Sequence, residues 1–203
     1  MRINHPGAIL RLIAIIITLS LTGAILSCNT AQNETTDLQS ADSIQPITDD
    51  EIAAFQQAWG EGIVNIGKVF VAGGDFKAAA SEHIHTFYNF REGTVLFKPT
   101  LTSVVQFRTD FEGALSYFVA GNDSYPEDHG FAIKPWSEVR WENIGTKSIG
   151  NMAVAMGNYY FTPSEGGDAV KVEYSFAYTR DESGNLTIVL HDSHLPYVPD
   201  NTH

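Results

Sequence analysis

The apolar residues of this chain change their spacing once. Before residue 120 they recur every three or four positions, and from Val139 onward they recur every second one. The first spacing belongs to one face of a helix and the second to one face of a strand, so the order is helices first and strands afterwards. Thr48-Asp49-Asp50-Glu51 is a capping-box pattern, and Ile52, Phe55, Trp59, Ile63, Ile66 and Phe70 form one stripe after it, stopped by Gly73-Gly74. Asp75 caps a second predicted helix with Phe76, Ala80, Ile84 and Phe87 inward. Thr94 to Lys98 reads as a short strand, and Phe111 to Val119 as a shorter third helix. Four strands follow at Val139–Ile144, Met152–Phe161, Val170–Thr179 and Leu186–His194, with Gly-, Ser-, Asp- and Asn-rich joins short enough for a meander. This pattern predicts one α+β domain over residues 48–203, a curved antiparallel sheet packed against N-terminal helices around a hollow.

The segment before it is of another kind. Met1 to Ser27 has Arg2, Arg11 and then the apolar run Leu12 to Leu26, too short for a comfortable membrane span, and reads as an export signal. It ends in Ile25-Leu26-Ser27-Cys28, which resembles the lipobox of bacterial lipoproteins and makes Cys28 the expected lipidation site and mature N-terminus. The expected location is therefore outside the cytoplasm, lipid-anchored at a bacterial cell envelope. Residues 28–47 are polar and lack aromatic residues, as a disordered tether would. The formal charge of −12 becomes −14 once Met1 to Ser27, with two arginines and no acids, is removed. So acidic a body argues against nucleic-acid binding.

Leu186 to His194 places ionisable and hydroxyl side chains where a strand of this length carries apolar ones. Strand alternation puts Thr187, Val189, His191 and Ser193 on one face and Ile188, Leu190, Asp192 and His194 on the other. A histidine two residues before a serine on a shared face offers a proton acceptor beside a hydroxyl.

Several blocks in order, Tyr88-Asn89-Phe90-Arg91-Glu92-Gly93-Thr94-Val95-Leu96-Phe97-Lys98-Pro99-Thr100, Gln106-Phe107-Arg108, Glu112 to Phe118, Asp128 to Trp136 and the final strand, together resemble the iota-class carbonic anhydrases. The resemblance implies the cone-like α+β fold shared with nuclear transport factor and SnoaL proteins, and reversible hydration of carbon dioxide, in several members without a metal. The family's mark on the last strand is His-His-Ser-Ser, and here it reads His191-Asp192-Ser193-His194. Alternation places the two matching residues on one face and the two departures on the other.

By that resemblance Thr100, Tyr117 and Ser193 are the expected catalytic hydroxyls that orient water and carbon dioxide. His191 is the expected acceptor of the water's proton, and Arg108 and Tyr88 are expected at the substrate. Each has a plainer reading: a core histidine, strand or turn hydroxyls, a packing tyrosine, an arginine paired with a structural carboxylate. No metal ligand is assigned. His83 and His85 diverge on a helix, His191 and His194 diverge on a strand, and Asp128-His129 is the remaining loop candidate for a divalent ion. A homodimer is the expected assembly, with carbon dioxide or bicarbonate as small-molecule partner and the membrane reached only through the lipid. Two other classes stay open: a non-catalytic ligand-binding or oligomerisation module, which would fill the hydroxyl pocket with apolar side chains, and an isomerase or cyclase, which would need Glu112 or Asp128 as a buried base.

Overall fold

The computed structural model describes residues 45–199. The export signal, Cys28 and most of the tether lie outside the described residues. Helix α1 spans Asp49–Val71 and starts where the capping box predicts: Glu51 N–H donates to Thr48 Oγ1 and Thr48 N–H donates to the Glu51 carboxylate at 2.9 Å. Such a reciprocal cap contributes about 1 kcal/mol. Gly73, with φ of 69°, turns the chain out of α1, and the Asp75 carboxylate caps α2, Phe76–Phe87. Strand β1 is Leu96–Lys98, α3 is Phe111–Val119 capped by Asp110, and a short 3-10 turn covers Phe131–Ile133.

Strands β2, Trp136–Ile149, β3, Met152–Pro163, β4, Val170–Arg180, and β5, Leu186–His194, form the antiparallel meander. The sheet order is β1-β5-β4-β3-β2, and β1 joins β5 in parallel, so the sheet is antiparallel except at that edge. Parallel pairing brings Phe97 opposite His191 and Lys98 opposite Asp192. The chain therefore enters the next loop, at Thr100, beside the end of β5.

One face of the sheet packs on α1. Trp59, 1% exposed, is its central side chain, its ring within 6.5 Å of those of Trp141, Tyr159, Phe161, Phe176 and His191. Gln56 ties the same helix to two strands, β2 and β4: it donates to Asn143 Oδ1 at 3.0 Å and to the Tyr174 and Tyr178 hydroxyls at 3.2 Å, and accepts from Asn143 Nδ2 at 2.8 Å. A buried amide so fully partnered fixes the angle between helix and sheet. Phe70, assigned to the buried stripe, instead remains 40% exposed at the helix end against Phe76.

Candidate active site

The hollow opens as a cavity of about 520 Å³, lined by Thr100, Tyr117, Phe131, Trp136, Phe161 and Val172, with Glu127, Asp128, His129 and Lys134 also on its wall. Three segments build its polar end. The loop after β1 puts Thr100 on the wall, the second turn of α3 puts Tyr117 there, and β5 sets Ser193 just behind the wall, bonded to Thr100.

β5 does not alternate along its whole length. Tyr174, Phe176 and Tyr178 of β4 pair with Ser193, His191 and Ile188, so one residue on β4 opposes the two residues Val189 and Leu190 on β5. This bulge transfers the interior face from Val189, where simple alternation places it, to Ile188, which is fully buried. His191 and Ser193 lie on the near side of the bulge and share the interior, 3% and 1% exposed.

Thr100 Oγ1 and Ser193 Oγ are 2.8 Å apart. The Lys98 ammonium donates to the Ser193 carbonyl at 2.9 Å and pins that end of the strand. Tyr117 OH is buried beside the Thr100 hydroxyl and the Leu101 N–H without completing an aligned hydrogen bond to either. Burial pushes its pKa well up, so it is a neutral donor. A fourth hydroxyl, Tyr159 OH, faces Ser193 and Thr100 and is kept neutral in the same way, burial being the main cause. The sequence reading passed over Tyr159. Its signal was the period-two pattern itself, which puts Tyr159 inside with Phe161, and a buried tyrosine hydroxyl demands a partner.

His191 stands behind this cluster. Its Nδ1 is 2.9 Å from Tyr88 OH and its Nε2 is 3.3 Å from Tyr159 OH. Trp59 Nε1–H donates to Tyr88 OH at 3.1 Å, and indole nitrogen can only donate. The Tyr88 proton is then left for Nδ1, so Nε2 carries the ring hydrogen and points it at Tyr159. Complete burial holds the imidazole neutral, its basicity pushed far below the usual histidine range. The expected direct acceptance of the water's proton by His191 does not fit this geometry: both nitrogens are occupied by tyrosines, and the ring meets the hydroxyl cluster only through Tyr159.

Two further expectations are corrected. Tyr88, 2% exposed, supports His191 from behind and does not line the cavity. Arg108, fully buried, donates to Asp128 at 2.7 Å and to the Val105 carbonyl, with its guanidinium 4.3 Å from the Tyr125 ring centroid. It is the structural partner of a carboxylate and is not at the substrate, because desolvating a guanidinium without such a partner is costly. Asp128 also accepts from Ser116 Oγ at 2.6 Å, so it is no free base, and Glu112 is exposed. The isomerase reading therefore lacks its carboxylate, and the hydroxyl-lined end contradicts a pocket filled with apolar side chains. Among the described residues no group of three or more His, Cys, Asp or Glu side chains is placed to hold a metal ion.

The family model for metal-independent carbonic anhydrase matches residues 50–195. The chain belongs to this family. A metal-independent carbonic anhydrase of Nostoc sp. (strain PCC 7120 / SAG 25.82 / UTEX 2576) is 42% identical over 154 residues, covering 74% of this chain and 75% of that protein. The crystal structure of an iota-carbonic anhydrase from a cyanobacterium, complexed with bicarbonate, superposes with a TM-score of 0.73 at 40% identity, covering 76% of this chain and 95% of the other. The α+β architecture described above is shared with that iota-carbonic anhydrase.

Proposed function

We propose that this protein catalyses the reversible hydration of carbon dioxide to bicarbonate without a metal, at the inner end of the cavity where Thr100, Tyr117, Tyr159 and Ser193 meet. The observation that carries the reading is the buried Tyr117 hydroxyl, unpartnered beside the Thr100–Ser193 pair: a polar group so placed is satisfied by a bound ligand. The similarity to an iota-carbonic anhydrase solved with bicarbonate supports the substrate. Thr100 and Ser193 accept from and donate to one water and hold it against carbon, while Tyr117 and Tyr159 donate to the oxygens on which negative charge grows. Water oxygen bonds to carbon, a C=O pair moves onto oxygen, and one proton of the attacking water passes to a neighbouring cavity water. Hydroxyls do not acidify water as zinc does, so the driving force is a preoriented water and fixed donors in a dry site. His191 is a positioning residue here, fixing the Tyr159 hydroxyl through its Nε2–H.

Stopped-flow hydration by the full-length protein, before and after exhaustive chelation, tests the reading. Equal catalysis in both supports it. Loss on chelation with recovery on adding a divalent ion overturns the metal-free assignment, and no catalysis in either overturns the activity.

We further infer export and lipid anchoring through Cys28, on the strength of the Leu12 to Leu26 run and the lipobox-like ending. A homodimer joined through the outer sheet face is also inferred. Ile144, Val154 and Met156, 70%, 40% and 56% exposed, make an apolar patch there with Leu190. The mass in solution is expected to be that of two protomers, and Met156→Glu is expected to lower it to that of one.

A further inference from the structure

Every turnover of the proposed hydration creates a proton that must reach solvent, and the groups at the reacting end are poor carriers. Tyr117 and Tyr159 are held neutral by burial, and His191 is buried with both nitrogens engaged. The cavity wall then offers four ionisable side chains: Glu127, Asp128, His129 and Lys134. Glu127 accepts from the backbone N–H groups of Ser103, Val104 and Val105, which hold its carboxyl down to about 2 and leave it a weak base near neutrality. Asp128 is committed to Arg108 and Ser116. The Lys134 ammonium lies 5.1 Å from the Trp136 ring centroid.

His129 differs from all of these. It is exposed, and no hydrogen bond or ion pair engages its ring among the described residues. Its backbone is nonetheless fixed on both sides. Glu127 and Asp128 are fastened to the Ser103–Val105 loop and to Arg108, and Gly130 follows with φ of 78°, where an added Cβ would sit 2.5 Å from the Ile133 side chain. An exposed imidazole with no protein partner among the described residues, on a fixed rim, is the arrangement a proton carrier needs, since an imidazole nitrogen can both accept and donate a proton.

We propose that His129 is the proton shuttle of this enzyme, taking the proton from cavity water after bicarbonate forms and passing it to buffer at the mouth. The step is balanced: the proton released as water adds to carbon passes to a cavity water, that water gives one of its protons to the ring as an N–H bond forms and returns to neutral water, and buffer base removes the ring proton before the next turnover. This assignment rests on the hydration reading above.

The test is stopped-flow hydration by the full-length wild type and the His129→Ala variant, in dilute non-imidazole buffer and again with imidazole added. His85→Ala serves as control, since His85 stacks on Phe111 at 4.5 Å and does not line this cavity. In dilute buffer His129→Ala is expected to lose roughly tenfold in kcat with kcat/KM unchanged, because proton export follows the carbon chemistry. Added imidazole is expected to restore kcat in His129→Ala while leaving wild type and the control nearly unaffected. Unchanged kcat in dilute buffer overturns the shuttle. So does an equal fall in kcat and kcat/KM that imidazole does not restore, which marks a structural role. An inactive wild type instead overturns the hydration reading on which the shuttle stands.

Discussion

Ser193→Ala is expected to lower kcat/KM for carbon dioxide hydration about 100-fold, equivalent to about 2.7 kcal/mol of transition-state stabilisation, while the protein remains folded. Ser193 Oγ has one protein partner, Thr100 Oγ1 at 2.8 Å, and faces Tyr159. Removing it costs about 1 kcal/mol of stability, the worth of one hydrogen bond, so a folded enzyme survives and the rate loss is chemical. Thr100→Val removes the other half of the pair and is expected to lose a similar factor. The double variant is expected to be little worse than either single one, because two hydroxyls holding one water act as a unit. Parallel measurements of kcat/KM and of the thermal midpoint separate the two effects. Activity of Ser193→Ala within about threefold of wild type would remove the hydroxyl pair from the reaction.

The second large effect is on stability against acid. His83 and His191 are both buried and neutral, and burial holds His83 down to about 3 and His191 far below its usual value. The folded state refuses protons that the unfolded chain accepts near pH 6.5, so stability is complete above that pH and falls as pH drops below it. Each ring then costs about 1.4 kcal/mol per pH unit, or about 4 kcal/mol for both between pH 6.5 and 5. Carboxylates held low, such as Glu51 by the Thr48 N–H and Arg180, act only in a more acidic window. His83 packs against Trp59, Phe87 and Phe118, its two nitrogens unpartnered among the described residues. His83→Phe is therefore expected to keep the fold at pH 7 and to halve the acid slope. Denaturant midpoints at pH 7 and pH 5 measure it; an unchanged slope in the variant would mean that His83 is not neutral and buried in the folded protein.

Local pattern carried much of the architecture into the sequence. The Thr48 box, the Asp75 cap and the bounds of β5 depend on neighbours a few residues apart, and these were legible. β2 was cut short at Ile144 and read from Val139 because most of its residues face solvent, so alternation is faint from Trp136 to Ile149. The bulge at Val189–Leu190 was invisible because it is set by the partner strand.

The candidate site divides in the same way. Thr100, Tyr117 and Ser193 came from the family resemblance, and the structure brings them together. Nothing within either segment says that Tyr88 will meet His191, 103 positions away, or that the bond from Trp59 to Tyr88 will decide which nitrogen of the imidazole carries hydrogen. Arg108 was misplaced for a related reason: its partner Asp128 lies across a loop, and a buried cation reads the same in sequence whether it faces a carboxylate or a substrate.

If the hydroxyl cluster holds the carbon, a crystal structure of the protein soaked in bicarbonate will show it there. The expected result is an anion at the inner end of the cavity, within hydrogen-bond distance of Thr100, Tyr117 and Ser193, and lost in Ser193→Ala. Bicarbonate bound instead at Lys134 or elsewhere on the rim, with Tyr117 OH still unpartnered, would contradict it.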